Sequence, residues 1–316
     1  MPQTLNSLLA RLRFRHLQLM VEIDRTGSLN RASEVLNLTQ PALSKSLKDM
    51  EEALGFTLFS RTTRGLEKTV QGAIVIEGAR LILEELRHLH HEASISRHGD
   101  LAAVLRLGAP VYLTASLVPR IIARLIKQDP PVIVQLSENQ VPQLFDQLVH
   151  GKLDALVTVY NPDVLANMRN QDLCFEKIAE EQYEVIAPLG HPMTEHKRVS
   201  WEQLLSFPWV LTRKPSLARV FIEDCFLQFG LMPPSPVCVT ENPLTNVHLV
   251  AQGAGLSMVP GSLLEVTDIR SRIGRVRLPP LPATHLGLVY RQTATLHPRI
   301  RHLRQAVFET SSPLPT

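Results

Sequence analysis

Cysteine is nearly missing from this sequence, with only Cys174, Cys225 and Cys238 among 316 residues. The three form an odd, widely spaced set with no CxxC and no Cys/His ligand pattern, which excludes a disulfide framework and a structural zinc site. Buried, reduced thiols are expected, with a redox pair between Cys225 and Cys238 as the alternative. No run of about 18 apolar residues occurs, so no membrane span is expected. The N-terminal MPQTLNSLLARLRFRHLQ carries arginines where a signal peptide needs an apolar core, so the cytoplasm is the expected location. Catalytic signatures are lacking too: there is no Gly-rich phosphate loop, no GxSxG elbow and no HExxH. Scattered His and Asp residues make no constellation, so no enzyme activity, cofactor or metal site is expected. Two Trp and four Tyr do not indicate a dedicated aromatic cage.

A large surplus of either charge is also absent, with 33 Lys/Arg against 30 Asp/Glu. The small excess is nevertheless localised. Residues 1–70 hold ten basic against seven acidic side chains, and the remainder is balanced. A local basic surface follows, and it directs attention to the first seventy residues.

Three helices with short gaps fit that region. Phe14, Leu17, Met20 and Val21 make an apolar stripe on the first, which Gly27 terminates. Ser28 is a natural N-cap for a second helix, with Leu29, Ala32 and Leu36 inward. Asn37 and Leu38 allow only a tight corner. Thr39 caps a third helix, with Pro41 in its first turn where a missing N–H costs nothing. In that helix Leu43, Leu47, Met50 and Leu54 follow 4-3-4 spacing. Gln40, Pro41, Ser44, Lys45 and Lys48 fall mostly on the opposite face. An amide, a hydroxyl and two ammonium groups near a helix N-terminus can reach base edges and phosphates of a major groove. An ordinary solvated face is the alternative. LGFTLFSRTTRGLEKTVQG then reads as strand, basic turn and return strand, a β-wing lined by Arg61, Arg64 and Lys68.

The run GSLNRASEVLNLTQPALSKSLKDMEEALGFTLFSRTTRGLEKTVQG resembles the signature of LysR-type transcriptional regulators. That signature has G-S, small residues, L-x-[ST]-Q-P-A-[LV]-S, then L-E-x-x-L-G-x-x-L-F-x-R and T-x-x-G. Met50 stands for the usual leucine before the Glu. The resemblance implies a winged helix-turn-helix over residues 1–70 that binds double-stranded DNA. Its contacts would be Ser28, Asn30, Arg31, Thr39, Gln40, Pro41, Ser44, Lys45 and Lys48, with Arg61 and Arg64 on the wing. Lys45, often arginine in the family, would act as a point charge rather than a planar fork.

From Gly72 a proline-free helical run reaches about Arg97, a linker over residues 71–98. Val75, Ala79, Ile82, Leu86, Leu89 and Ala93 hold 4-3-4-3-4 spacing, the seam of a coiled coil. The seam either packs back on its own chain or pairs with a second copy, presenting two reading heads to a roughly two-fold operator. The resemblance implies the pairing and, beyond it, a homotetramer, with RNA polymerase as a further partner. His88, His90 and His91 do not make a metal box, because consecutive helical positions point apart.

From Val104 onward, short β-rich runs alternate with helices, which predicts α/β architecture with mixed sheets. Two lobes are expected within residues 99–316, lobe I at about 104–178 plus 284–310 and lobe II at about 179–283. GKLDALV and VAQGAGLSMVP resemble the effector domain of the same family, which is similar to periplasmic solute-binding proteins. Ligands in such sheets bind beyond the carboxyl ends of strands. The candidates there are Thr114, Ser116, Ser137, Asn139, Thr212, Asn242 and Thr245. Hydroxyls beside free N–H groups suit a small carboxylate or another polar metabolite; simple helix capping is the alternative. Glu138 would oppose an anion, and Arg213 and Lys214 would favour one. The rivals are an enzyme and a transport solute-binding protein, and neither predicts sequence-specific DNA affinity. The expected mechanism is a population shift, in which an effector closes or rotates the lobes and changes how paired heads meet DNA.

Overall fold

In the computed structural model, which describes residues 8, 10–63, 65–95, 103–129, 132–160, 173–214, 216–265, 268–279 and 284–311, the chain divides into two units. The first spans residues 1–100 and the second residues 101–316 apart from 150–152. Among the described residues, no helix is long and apolar enough to cross a membrane.

The first unit opens with α1 (Phe14–Thr26), α2 (Leu29–Val35) and α3 (Gln40–Leu54). Gly27 ends α1 in the left-handed region, its N–H donating to the Ile23 carbonyl at 2.9 Å. The buried face of α1 is Leu19, Met20 and Ile23, while Phe14 stays 57% exposed. The predicted stripe is therefore rotated, because α1 is packed by α2, α3 and a later helix rather than along one line. Ser28 holds the extended N-cap backbone of α2, but its hydroxyl makes no cap hydrogen bond. Asn37 turns the corner with φ of 53°, a conformation asparagine tolerates better than most residues. Thr39 caps α3 as expected, accepting from the Ala42 N–H at 3.4 Å. Leu43, Leu47 and Met50 are buried, joined by Ala53.

The wing is a hairpin of β1 (Phe59–Thr62) and β2 (Gly65–Lys68). Its place is set by two anchors. Glu51 Oε1 accepts from the Leu58 and Phe59 N–H groups at 2.7 and 3.3 Å, tying the end of α3 to β1. The Leu66 N–H donates to the Gly27 carbonyl at 2.9 Å. At Gly65, φ is 127° and a Cβ would stand 2.7 Å from that same carbonyl, so only glycine lets β2 reach the turn. A long helix, α4 (Val70–Ile95), follows. A Cβ on its Gly72 would lie 2.0 Å from the Leu58 carbonyl, so glycine allows α4 to start against β1.

The second unit has two lobes. Lobe I holds β3 (Ala103–Ala109), α5 (Val111–Thr114), α6 (Val118–Leu125), β4 (Val132–Glu138), α7 (Val141–Val149), β5 (Ala155–Tyr160) and β6 (Leu173–Glu181). Lobe II holds β7 (Tyr183–Pro188), α8 (Pro192–Glu195), α9 (Trp201–Leu204), β8 (Val210–Thr212), α10 (Leu217–Gln228), β9 (Cys238–Thr240), α11 (Pro243–Ala251), β10 (Ser257–Pro260), α12 (Gly261–Glu265) and β11 (Ile273–Arg275). The chain then returns to lobe I as β12 (Thr284–Arg291) and α13 (Pro298–Ser311). The lobe I sheet runs β4-β3-β5-β12-β6, with β3 parallel to β4 and β5 and with β12 antiparallel to β5 and β6. In lobe II, β7 lies antiparallel between β10 and β11, and β8 pairs parallel with β9. Gln182 alone separates β6 from β7, so the first crossing between lobes is a single residue.

The Asp of GKLDALV proves structural. Asp154 is 1% exposed, accepts from the Arg106 N–H at 2.9 Å and pairs with the Arg106 and Arg299 guanidinium groups. One carboxylate thus joins β3 to the segment entering β5 and to α13. All three cysteines are free thiols, and burial pushes the Cys225 thiol up to about 11.

Candidate nucleic-acid interface and ligand cleft

The exposed face of α3 carries Gln40, Pro41, Lys45 and Lys48, with Ser44 half-buried beside them. Eight residues of helix separate Gln40 from Lys48, about 12 Å, which matches the width of a B-DNA major groove. Lys45 has no ion-pair partner among the described residues. Lys48 reaches Glu52 only at 3.8 Å, with both side chains exposed. Such a pair is worth under about 1 kcal/mol and yields readily to a phosphate. Asn30 and Arg31 are exposed at the start of α2, whereas Ser28 is half-buried. Thr39 is exposed and spends its hydroxyl on the cap.

On the wing, Arg61 is exposed and stands opposite Leu66. Arg64 lies outside the described residues. Lys68 departs from the reading of a bare wing lysine. It pairs with Asp24 of α1 at 3.2 Å, and Asp24 also holds Arg80 of α4. Asp24 therefore fastens the return strand of the wing to α1 and α4, a role that charge counting does not reveal.

The seam of α4 splits in two. Ala79 is buried and Val75 half-buried under the reading head, alongside Ile76. Ile82, Leu86 and Leu89 are 48, 41 and 56% exposed, and Ala93 is exposed as well.

In the second unit, the carboxyl ends of five strands open on one cleft of about 560 Å³ between the lobes. Lobe I contributes Pro110 to Tyr112 after β3 and Glu138 to Pro142 around the end of β4. Lobe II contributes Thr212, Arg213 and Ser216 to Ala218 at β8 and α10, Glu241 to Pro243 at β9 and α11, and Tyr183, Val220 and Pro260. The N-termini of α7, α10 and α11 all border this space, bringing partial positive charge without a buried cation.

Three of the candidate residues line it: Asn139, Thr212 and Asn242. The hydroxyls of Thr212 and Ser216 meet at 2.6 Å, and Ser216 also accepts from the Arg219 N–H as the cap of α10. Asn242 caps α11, accepting from the Leu244 N–H at 3.0 Å. Asn139 accepts from the Gln140 N–H at 2.8 Å. Within lobe II, Glu241 pairs with Arg213 at 2.9 Å, and across the cleft it accepts from the Gln140 amide of lobe I. The Arg213 and Glu241 side chains are 67 and 54% exposed, so this ion pair within lobe II is weak.

Thr114, Ser116, Ser137 and Thr245 do not line the cleft. Thr114 closes α5, its hydroxyl donating to the Val111 carbonyl at 2.7 Å. Ser116 is buried, donates to the Tyr112 carbonyl, and borders a separate cavity beside Glu181 and Ser262. Ser137 alternates with the cleft-lining Glu138 along β4. Thr245 is exposed on α11. Tyr112, Gln140, Tyr183 and Ser216 line the cleft without having been singled out from sequence.

Comparison with known proteins covers both units. Residues 14–73 match the family described as bacterial regulatory helix-turn-helix protein, lysR family, and residues 98–312 match LysR substrate binding domain. The HTH-type transcriptional regulator GbpR of Azospirillum brasilense is 30% identical over 260 residues, 81% of this chain and 74% of that protein. Among solved structures, a full-length OxyR variant from Pseudomonas aeruginosa superposes with a TM-score of 0.62 at 23% identity, over 95% of this chain and 94% of that one. Full-length CbnR in complex with its target DNA superposes with a TM-score of 0.58 at 20% identity, over 95% of this chain and all of the other.

Proposed function

We propose, for a chain that belongs to the LysR-type family of DNA-binding transcriptional regulators, that a small organic acid held between the lobes of its effector-binding domain controls how it engages DNA. The family is one of regulators rather than enzymes. The observation that carries the DNA half is the face of α3, where Gln40, Lys45 and Lys48 stand exposed over a fully packed opposite side. In this reading Gln40, Ser44 and Lys45 reach base edges while Lys48, Arg61 and the N-terminus of α3 hold phosphates. Two copies meet along Ile82, Leu86 and Leu89 and address a roughly two-fold operator. Assembly to a tetramer and contact with RNA polymerase extend the same reading.

The cleft supports the effector half. Hydroxyls at the start of α10 and three helix N-termini favour an oxyanion, and the exposed hydrogen bond from Gln140 to Glu241 gives a ligand a contact between lobes to displace. Ligand binding then shifts the balance between lobe arrangements by its differential affinity alone. A gel-shift titration of the full chain on its own upstream DNA, at low and high salt, tests the reading. Specific retardation that falls steeply with salt is expected. Absence of binding at low salt, with and without a panel of organic acids, refutes it.

A further inference from the structure

We infer that the phenol hydroxyls of Tyr112 and Tyr183 read the far oxygen of a small, ring-bodied hydroxy acid bound in the cleft. This rests on the cleft being the effector site, and it adds which residues select the ligand and of what class.

Tyr112 and Tyr183 come from opposite lobes, one in α5 directly after β3 and the other opening β7 just past the Gln182 crossing. They are 8 and 5% exposed, and both line the cleft. Neither hydroxyl forms a hydrogen bond with any described residue, and neither is sealed away as a buried orphan atom. Both residues line the cleft, and the two phenols are close enough to each other to interact electrostatically. A buried phenol ordinarily finds a partner, because a hydroxyl taken out of water without one loses its hydrogen bonds uncompensated. Two such groups facing one cavity make a site that an occupant completes. The Tyr183 ring is held against Phe221 at 5.2 Å between centroids, so its hydroxyl is directed rather than free to swing. Burial pushes both phenols up from their ordinary value, which keeps them protonated and able to donate as well as accept.

The rest of the cleft limits what the occupant can be. Pro110, Pro142, Pro243 and Pro260 give it flat apolar walls suited to a ring. The cation on its lining, Arg213, is exposed and engaged by Glu241. A carboxylate would therefore be met by the Thr212 and Ser216 hydroxyls and the N-terminus of the twelve-residue α10. A ring, a carboxylate and a second oxygen satisfy all three features together.

The test is calorimetric titration of the full-length chain with 4-hydroxybenzoate, benzoate and succinate. The expected result is binding of 4-hydroxybenzoate about tenfold tighter than benzoate, the worth of one well-placed hydrogen bond, with succinate weaker than either. Tyr112→Phe and Tyr183→Phe should each lose about that factor for 4-hydroxybenzoate and none for benzoate. The free variants should melt no lower than the parent, since the deleted hydroxyls bond no described residue. Equal affinity for the two aromatic acids, indifference to both Phe variants, tight succinate binding, or no binding of either aromatic acid overturns the inference. Val220→Trp, which places an indole in the cleft, separates the two levels. If it abolishes binding while the Phe variants are silent, the cleft reading stands and the phenol inference falls. If 4-hydroxybenzoate still binds to it unchanged, the cleft itself is not the site.

Discussion

Leu86→Ala isolates the pairing of two copies from the folding of one. In the single chain, Leu86 leaves 41% of its surface uncovered. Burying a whole leucine side chain is worth about 1.5–3 kcal/mol, so covering the remaining fraction on pairing contributes roughly 1 kcal/mol per copy. Two copies lose that together, and imperfect closure of the gap adds a cavity cost. A total of about 2–3 kcal/mol weakens the dimer roughly 30- to 150-fold. Sedimentation equilibrium over a micromolar concentration series reads the change directly. Helical circular dichroism at concentrations where both proteins are monomeric should be the same, because alanine suits an exposed helix position at least as well as leucine. A variant that dimerises as tightly as the parent, or that unfolds as a monomer, refutes the assignment of Ile82, Leu86 and Leu89 to a second copy.

Lys45→Ala should lower specific DNA affinity and relax sequence preference, by about 1–3 kcal/mol in fluorescence anisotropy. Arg61→Ala should weaken all sequences alike and reduce the log–log salt slope by about 1. Gly65→Ala forces a Cβ to 2.7 Å from the Gly27 carbonyl at a φ of 127°. It should cost at least about 2 kcal/mol and displace the wing, seen as lost amide protection at Leu66. Burial raises Glu181 above the ordinary carboxylate value against the hydrogen bonds it accepts from Ser262. The folded chain then holds that proton more tightly than the unfolded one, so stability from this group falls as pH rises from about 4.5 through its folded value. Glu181→Gln removes that dependence, and its melting temperature relative to the parent should rise over the same window; a constant difference refutes the burial argument.

The reading head was legible because its determinants are local. Gly27, the corner at Asn37, the Thr39 cap with Pro41, and Gly55 all act within a few residues of themselves, so spacing alone orders three helices and exposes one face of α3. What escaped depends on distant partners. Phe14 fits a helical stripe but stays in solvent, since three other elements, not one, cover α1. Lys68 reads as a wing cation until Asp24, 44 residues away, claims it. The regular spacing on α4 is real throughout, yet its first part serves the head and only the part from Ile82 onward is bare. Periodicity reports that a face is apolar and is silent on what covers it.

The cleft shows the same division. Asn139, Thr212 and Asn242, expected after strand ends, do line the cleft, because backbone N–H groups and caps gather there for reasons internal to each strand–helix turn. Thr114 and Thr245, expected by the same rule, do not line the cleft: the Thr114 hydroxyl turns to a carbonyl and Thr245 is exposed on α11. That rule cannot find Tyr183, which opens β7 at the strand's amino end and reaches the cleft because a single residue, Gln182, carries the chain from β6 of lobe I into β7 of lobe II. Counting four tyrosines in the whole chain argues against an aromatic site, while topology sets two of them on facing lobes, their hydroxyls bonded to no described residue. Which residues line the cleft thus depends on where the chain crosses between lobes, information that no local pattern contains.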